Sequence, residues 1–313
     1  MNSQQQPARH AKAREPQIES STHANPRGQL LSAIPVGEKR LSLAGISTAV
    51  LESGEGPPVI LLHGPSGYAA HWMRIIPELA STHRIIAPDL PGHGASEFHP
   101  SMDVERTLMW LKELIDRTCR SAPVLVGHLL GGAIAARFAA QQNSEISRLV
   151  LVDAFGLTPF RPAPDFAQAL AEFLERPSEQ THRNLWRYCA FDFERMRKAM
   201  RAQWQPFEAY NVERARTAGA IANLSTLMTT IGIPAIPPSQ LELIAVPTTL
   251  IWGRHDLATP LSVAQAASRK YGWPLQVIEG AADDPPIEQP EAFLVALHAA
   301  LEYQRPAARR SHS

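Results

Sequence analysis

Five short stretches of the chain carry the side chains that could do chemistry. They are Leu61-Leu62-His63-Gly64-Pro65-Ser66, Asp89–Ser96, Gly127-His128-Leu129-Leu130-Gly131, Trp252-Gly253-Arg254-His255-Asp256 and Gly280–Pro290, which holds Asp283. Each follows a short apolar run. Imidazole, carboxylate and hydroxyl groups are the working parts of general acid–base and nucleophilic catalysis, so proton transfer or attack on a carbonyl is the chemistry to look for. Other chemistries find less support. His63, His71, His83, His93 and His99 crowd together in sequence but contain no i,i+4 ligand pair, which argues against a metal site. Gly127–Gly132 form neither a dinucleotide nor a phosphate fingerprint. Cys119 and Cys189 are too few for a disulfide framework or a four-ligand zinc site. No cofactor and no metal are expected.

Composition narrows the class further. Among 313 residues, 30 Lys+Arg balance 30 Asp+Glu, which is unlike the basic excess of a nucleic-acid binder. A hydrophobic share of 44% supports a large core. No apolar run approaches the ~20 residues of a membrane-spanning helix. Residues 1–30 are polar, and they lack the apolar stretch of a secretory signal. They read as a disordered tail, as do residues 304–313, and the protein is expected in the cytoplasm without a membrane or nucleic-acid partner.

The elements that must position the chemical groups alternate along the chain. Apolar runs at Ile46–Leu51, Pro58–Leu62, Arg84–Ala87, Pro123–Val126, Arg148–Val152, Thr248–Trp252 and Leu275–Ile278 predict strands. Helical patterns fall at His71–Ala80, Met102–Thr118, Leu130–Gln142, Leu261–Tyr271 and Glu288–Glu302. This order predicts an α/β fold with a doubly wound, mostly parallel sheet, whose ligands sit at the carboxyl ends of the strands. From Phe155 to Ile244 the pattern is helical only, and more than half of the chain's aromatic residues lie between Phe155 and Tyr210. Residues 155–244 are therefore expected to form a helical cap inserted into a core of residues 31–154 and 245–303. Trp186 and a few neighbours would line an apolar pocket beneath it.

In order and spacing, the five stretches resemble the α/β-hydrolase fold family, particularly its capped esterases, epoxide hydrolases, haloperoxidases and C–C hydrolases. The resemblance covers about residues 35–303. It implies that Gly127–Gly131 is the nucleophile elbow, G-x-S-x-G in the family, with Leu129 at the nucleophile position. It places Asp283 where the family has its general-base histidine and Asp256 at the triad acid. Pro65, which has no N–H to donate, falls at one oxyanion donor, and the N–H of Leu130 is the other. A leucine has no lone pair with which to attack. Hydrolysis by the family's triad is therefore not expected.

These substitutions lead to an expectation of non-hydrolytic chemistry of the lyase, cyclase or isomerase type on a small apolar metabolite. Asp256 and Asp283 would share a proton as general acid and base, with His128 as a further proton carrier. Asp283 reads equally as a loop carboxylate paired with Arg254 or capping the helix near Glu288, and His128 as a packing residue. His63, Gly64, Pro65, Ser66, Leu129, Leu130 and Trp186 are the expected substrate contacts. Two alternatives stand beside this: a pseudoenzyme that binds a small molecule or a protein partner, and a residual hydrolase.

Overall fold

The computed structural model describes residues 25–303. Eight strands form one sheet: β1 (Gly37–Leu43), β2 (Ile46–Ser53), β3 (Pro58–Leu62), β4 (Arg84–Pro88), β5 (Val124–His128), β6 (Arg148–Val152), β7 (Thr248–Gly253) and β8 (Leu275–Ile278). Their order is β1-β2-β4-β3-β5-β6-β7-β8. Strand β2 runs antiparallel to β1 and β4, and all the other pairings are parallel. Every residue of β3, β5 and β7 is buried, because helices cover both faces of the sheet. That explains their continuous Val, Leu and Ile runs. The pattern missed β1, whose Gly37-Glu38-Lys39-Arg40 opening is mostly exposed on the sheet's edge. An edge strand needs no apolar face on both sides, so it leaves a weak signal.

After β4 the chain crosses β3 and resumes on its other side with β5. This reversal splays apart the connections that leave the carboxyl ends of β3 and β5, opening the crevice where ligands of such sheets bind. The loops there are His63–Ser66 and His128–Leu130. Helix Leu130–Gln141 packs directly behind them and is buried on nearly every side, as its run of alanines allows.

Two expected helices are broken by proline. The segment expected as His71–Ala80 is a 3₁₀ turn, Ala69–Trp72, followed by the short helix Ile76–Leu79 with Pro77 in its first turn. The segment expected as Glu288–Glu302 divides into Pro285–Glu288 and Pro290–Glu302. Residues 25–30 depart from the expected disordered tail, while residues 1–24 and 304–313 lie outside the described residues. Asn25 caps helix Pro26–Ser32 by accepting from the Gly28 N–H, Leu30 is fully buried, and Arg27 pairs with Asp89 at 3.0 Å. One buried leucine and one buried ion pair anchor a stretch whose composition alone reads as tail.

Between β6 and β7 the chain is helical: Pro164–Glu175, Glu179–Cys189, Phe193–Met200, Trp204–Arg216 and Ala220–Leu227 are its main helices. Trp186 packs edge-on against Phe207 at 5.1 Å and Trp204 at 6.3 Å, which holds these helices to one another. No helix among the described residues is long and apolar enough to cross a membrane.

Candidate active site

The turn from β5 into helix Leu130–Gln141 is the most constrained point of the site. Leu129 sits there at φ 45° and ψ −107°, a conformation that costs a non-glycine residue about 1–3 kcal/mol. Its neighbours hold it: the Leu129 N–H donates to the Val152 carbonyl, and the Leu129 carbonyl accepts from Ala133 and Phe155. Glycine is required beside it for close approach. A Cβ on Gly131 would stand 2.3 Å from the Leu62 carbonyl oxygen, and one on Gly127 would stand 2.4 Å from that of Gly131. Leu129 thus presents its side chain to the crevice, where a cavity of about 400 Å³ opens.

That cavity is roofed by the helical segment, with Phe160, Phe173, Leu185 and Trp186 on its wall, and such apolar surroundings suit an organic molecule. Of the residues expected to serve the site, Gly64, Pro65, Ser66, His128, Leu129, Asp283 and Trp186 line the cavity. His63, Leu130 and Asp256 do not. His63 is fully buried behind the wall, with Nε2 accepting from the Leu90 N–H and Nδ1 beside the Gly64 carbonyl. Leu130 is buried at the start of its helix.

Asp256 is held by its own loop. Its carboxylate turns into its own loop, accepting from the N–H groups of Ala258 and Thr259 and from the Thr259 hydroxyl. Its close acidic neighbour is the buried Asp153, a residue the sequence did not single out. Asp283 does not pair with Arg254, which holds Glu279 instead, and the residue preceding helix Pro285–Glu288 is Asp284. Burial pushes Asp283 well above the usual carboxylate range, with the charges of Asp256, Asp284 and Glu288 adding to it.

Burial also pushes the Asp256 carboxyl up to about 7. An unfolded aspartate loses its proton near pH 4, so between about pH 4 and 7 the folded chain binds the extra proton and stability falls as pH rises. Asp256→Asn is expected to lessen the fall of the melting temperature across that interval, the remaining slope coming from the other buried carboxyls such as Asp283. A profile unchanged by the substitution would count against it.

The structure assembles a group that sequence spacing does not show. His71 lies on the cavity wall in the turn after β3, and its Nε2 is 2.6 Å from Asp284 Oδ2. The His71 and His128 rings stack at 5.9 Å between centroids. His128 Nε2 is 2.6 Å from the Asp283 carbonyl oxygen. A carbonyl can only accept, so Nε2 carries the proton and His128 Nδ1 keeps its lone pair. Burial holds the His128 pKa down, and the ring stays neutral. By the same reasoning the Asp284 carboxylate accepts from His71 Nε2, leaving the lone pair of His71 on Nδ1. The signal available in the sequence was the doubled carboxylate Asp283-Asp284 ahead of Pro285, but nothing in the sequence ties it to His71.

Nucleophiles on the wall are few. The Cys189 thiol is pushed well above its usual range by burial and by Asp283, Asp284 and Glu288, which keeps it protonated and unreactive. Ser66 lines the cavity in a left-handed backbone conformation at φ 58°.

Residues 59–297 match the family model described as "Alpha/beta hydrolase family". The chain is 27% identical over 254 residues to a pimeloyl-[acyl-carrier protein] methyl ester esterase of Aeromonas hydrophila, covering 80% of this chain and 97% of that one. It is 34% identical to the 2-hydroxymuconate semialdehyde hydrolase of Pseudomonas sp. CF600 over 126 residues, which are 38% of this chain and 44% of the other. Its fold superposes on the meta-cleavage product hydrolase CumD of Pseudomonas fluorescens IP01 with a TM-score of 0.71 at 25% identity, covering 85% and 97% of the two chains. These relatives overturn the expectation of lyase, cyclase or isomerase chemistry, since those that align along most of the chain carry esterase and hydrolase names. Asp256 does not line the cavity, although its charge acts on Asp283.

Proposed function

The chain belongs to the alpha/beta hydrolase family, and from that premise we propose that it hydrolyses a small, largely apolar carboxylic ester or related carbonyl compound, with water as the attacking group. The observation that carries this reading is the His71–Asp284 pair on the wall of the cavity. Leu129 stands at the family's nucleophile position and has no atom to attack with, so the imidazole must act on water instead.

The steps follow from the side chains present. Asp284 fixes the His71 ring and stabilises the cation that forms when Nδ1 takes a proton. The water oxygen adds to the carbonyl carbon as that proton leaves it. Collapse of the adduct breaks the carbon–oxygen bond to the alcohol, and the proton passes from His71 to the departing alkoxide, giving acid and alcohol. The family resemblance assigns the developing oxyanion to the N–H of Leu130, which at the first position of its helix has no intrahelical acceptor. Pro65 supplies none, which costs about 10²–10³ in rate, so slow turnover is expected. Apolar wall residues such as Phe160, Phe173 and Trp186 favour an acyl chain or an aryl group over a sugar or a phosphate. The free thiols Cys119 and Cys189 suit the cytoplasm.

Leu129 also favours a second reading, in which the cavity binds a molecule and leaves it intact. A panel of p-nitrophenyl esters of increasing chain length separates the two. Hydrolysis above the buffer rate, preferring the longer apolar acyl groups, is the expected result. Esters that raise the melting temperature but are recovered unchanged would establish the binder and end the hydrolase reading.

A further inference from the structure

We propose that His71, His128 and Asp284 form a binding site for one divalent transition-metal ion, of which zinc is the first candidate. The three side chains offer one ligand atom each, and these atoms lie within 4.8 Å of one another. Ligands on one tetrahedral zinc ion stand about 3.4 Å apart, so shifts of about 1 Å would complete the site. Two imidazoles and one carboxylate with positions left open suit zinc and its neighbours in the first transition row better than magnesium or calcium.

Buried atoms at the site point to a ligand independently of this clustering. His128 Nδ1 and Asp284 Oδ1 are fully buried, and neither has a hydrogen-bond partner among the described residues. Such atoms normally find one, since an unmet buried acceptor costs about 1–3 kcal/mol. Gly64 lies close against this nitrogen, since a Cβ there would come to 3.1 Å of Nδ1. Its other nitrogen is tied to the Asp283 carbonyl at 2.6 Å, and metal-bound imidazoles are oriented by this kind of bond. The proton between His71 Nε2 and Asp284 Oδ2 occupies a place that an ion would take.

The sequence pointed away from a metal because the three ligands come from three separate segments of the chain.

The binding site does not depend on the proposed hydrolysis. Its role does rest on that reading, because the ion would take over activation of the water from His71 by lowering the water's pKa. The test uses the full chain, stripped with a chelator and titrated with Co²⁺ and Zn²⁺, with metal content measured on the protein as purified. One equivalent of Co²⁺ is expected to bind and to give visible absorption bands of a low-symmetry nitrogen–oxygen site. His128→Ala and Asp284→Asn are each expected to weaken binding at least about 10-fold. Circular dichroism on each variant shows that the fold persists, and His128→Gln supplies a milder change should alanine unfold the chain. Absence of stoichiometric binding, or variants that bind like the parent, overturns the site. Hydrolysis that survives complete metal removal also overturns the ion's role and leaves His71 as the base. Stoichiometric binding without hydrolysis of any ester upholds the site and removes the hydrolase reading instead.

Discussion

His71→Asn is expected to lower kcat/KM about 10²–10⁴-fold on whichever ester the parent chain turns over, the usual loss when a positioned acid–base group is removed. Asparagine is close to imidazole in polarity and can still donate to Asp284, so the hydrogen bond at 2.6 Å has a substitute. It cannot accept and return a proton at neutral pH. The stacking of His71 on His128, and its contacts with Trp186 at 6.5 Å and Phe207 at 5.8 Å, is partly lost. The melting temperature should therefore fall by only a few degrees, which separates chemistry from folding. Steady-state kinetics beside a thermal melt checks this. Unchanged kcat/KM in a folded variant would remove His71 from the reaction.

Gly131→Ala is expected to lower stability strongly although it adds a single methyl group. The added Cβ would meet the Leu62 carbonyl oxygen at 2.3 Å and that of His63 at 2.7 Å. Both contacts are with the backbone at the carboxyl end of β3, which rotamer changes cannot relieve. Helix Leu130–Gln141 would have to move off the sheet, taking the Leu129 turn with it. Overpacking of this kind costs typically 1–3 kcal/mol and more where backbone meets backbone, so a loss of at least about 3 kcal/mol is expected. Gly272→Ala is an instructive control: a Cβ there meets nothing within 4 Å among the described residues, although its φ of 70° carries some strain. Denaturant melts of both variants would show it. A Gly131→Ala chain as stable as the Gly272→Ala chain would contradict the close approach.

Why so much of the fold was legible can be seen at particular residues. The runs Pro58–Leu62, Arg148–Val152 and Leu275–Ile278 are strands with the same limits in the structure: the first is buried throughout and the second in all but its first residue, because a strand covered on both faces must be apolar, whereas the third lies at the sheet's edge with Gln276 exposed. The Leu129 turn was legible from its glycines, whose spacing is dictated by contacts within a few residues and with β3. The site was legible only where one loop determines it, as in Gly64–Ser66 and His128. His71 and Asp284 lie 213 positions apart and meet only after the sheet has formed, so no local pattern links them. Asp256 was singled out by its place in the chain, but the two N–H groups of its own loop that bind the carboxylate follow from the turn's geometry and leave no sequence pattern.

In the proposed reaction water, not a protein side chain, attacks the substrate in this cavity. The most direct measurement is the mass of the intact protein, quenched with acid while it turns over a p-nitrophenyl ester in excess. The expected result is steady release of acid and p-nitrophenol with the protein at its unmodified mass throughout. An acyl adduct on the chain that forms and decays at the turnover rate would contradict it, and mapping the adduct would name the nucleophile.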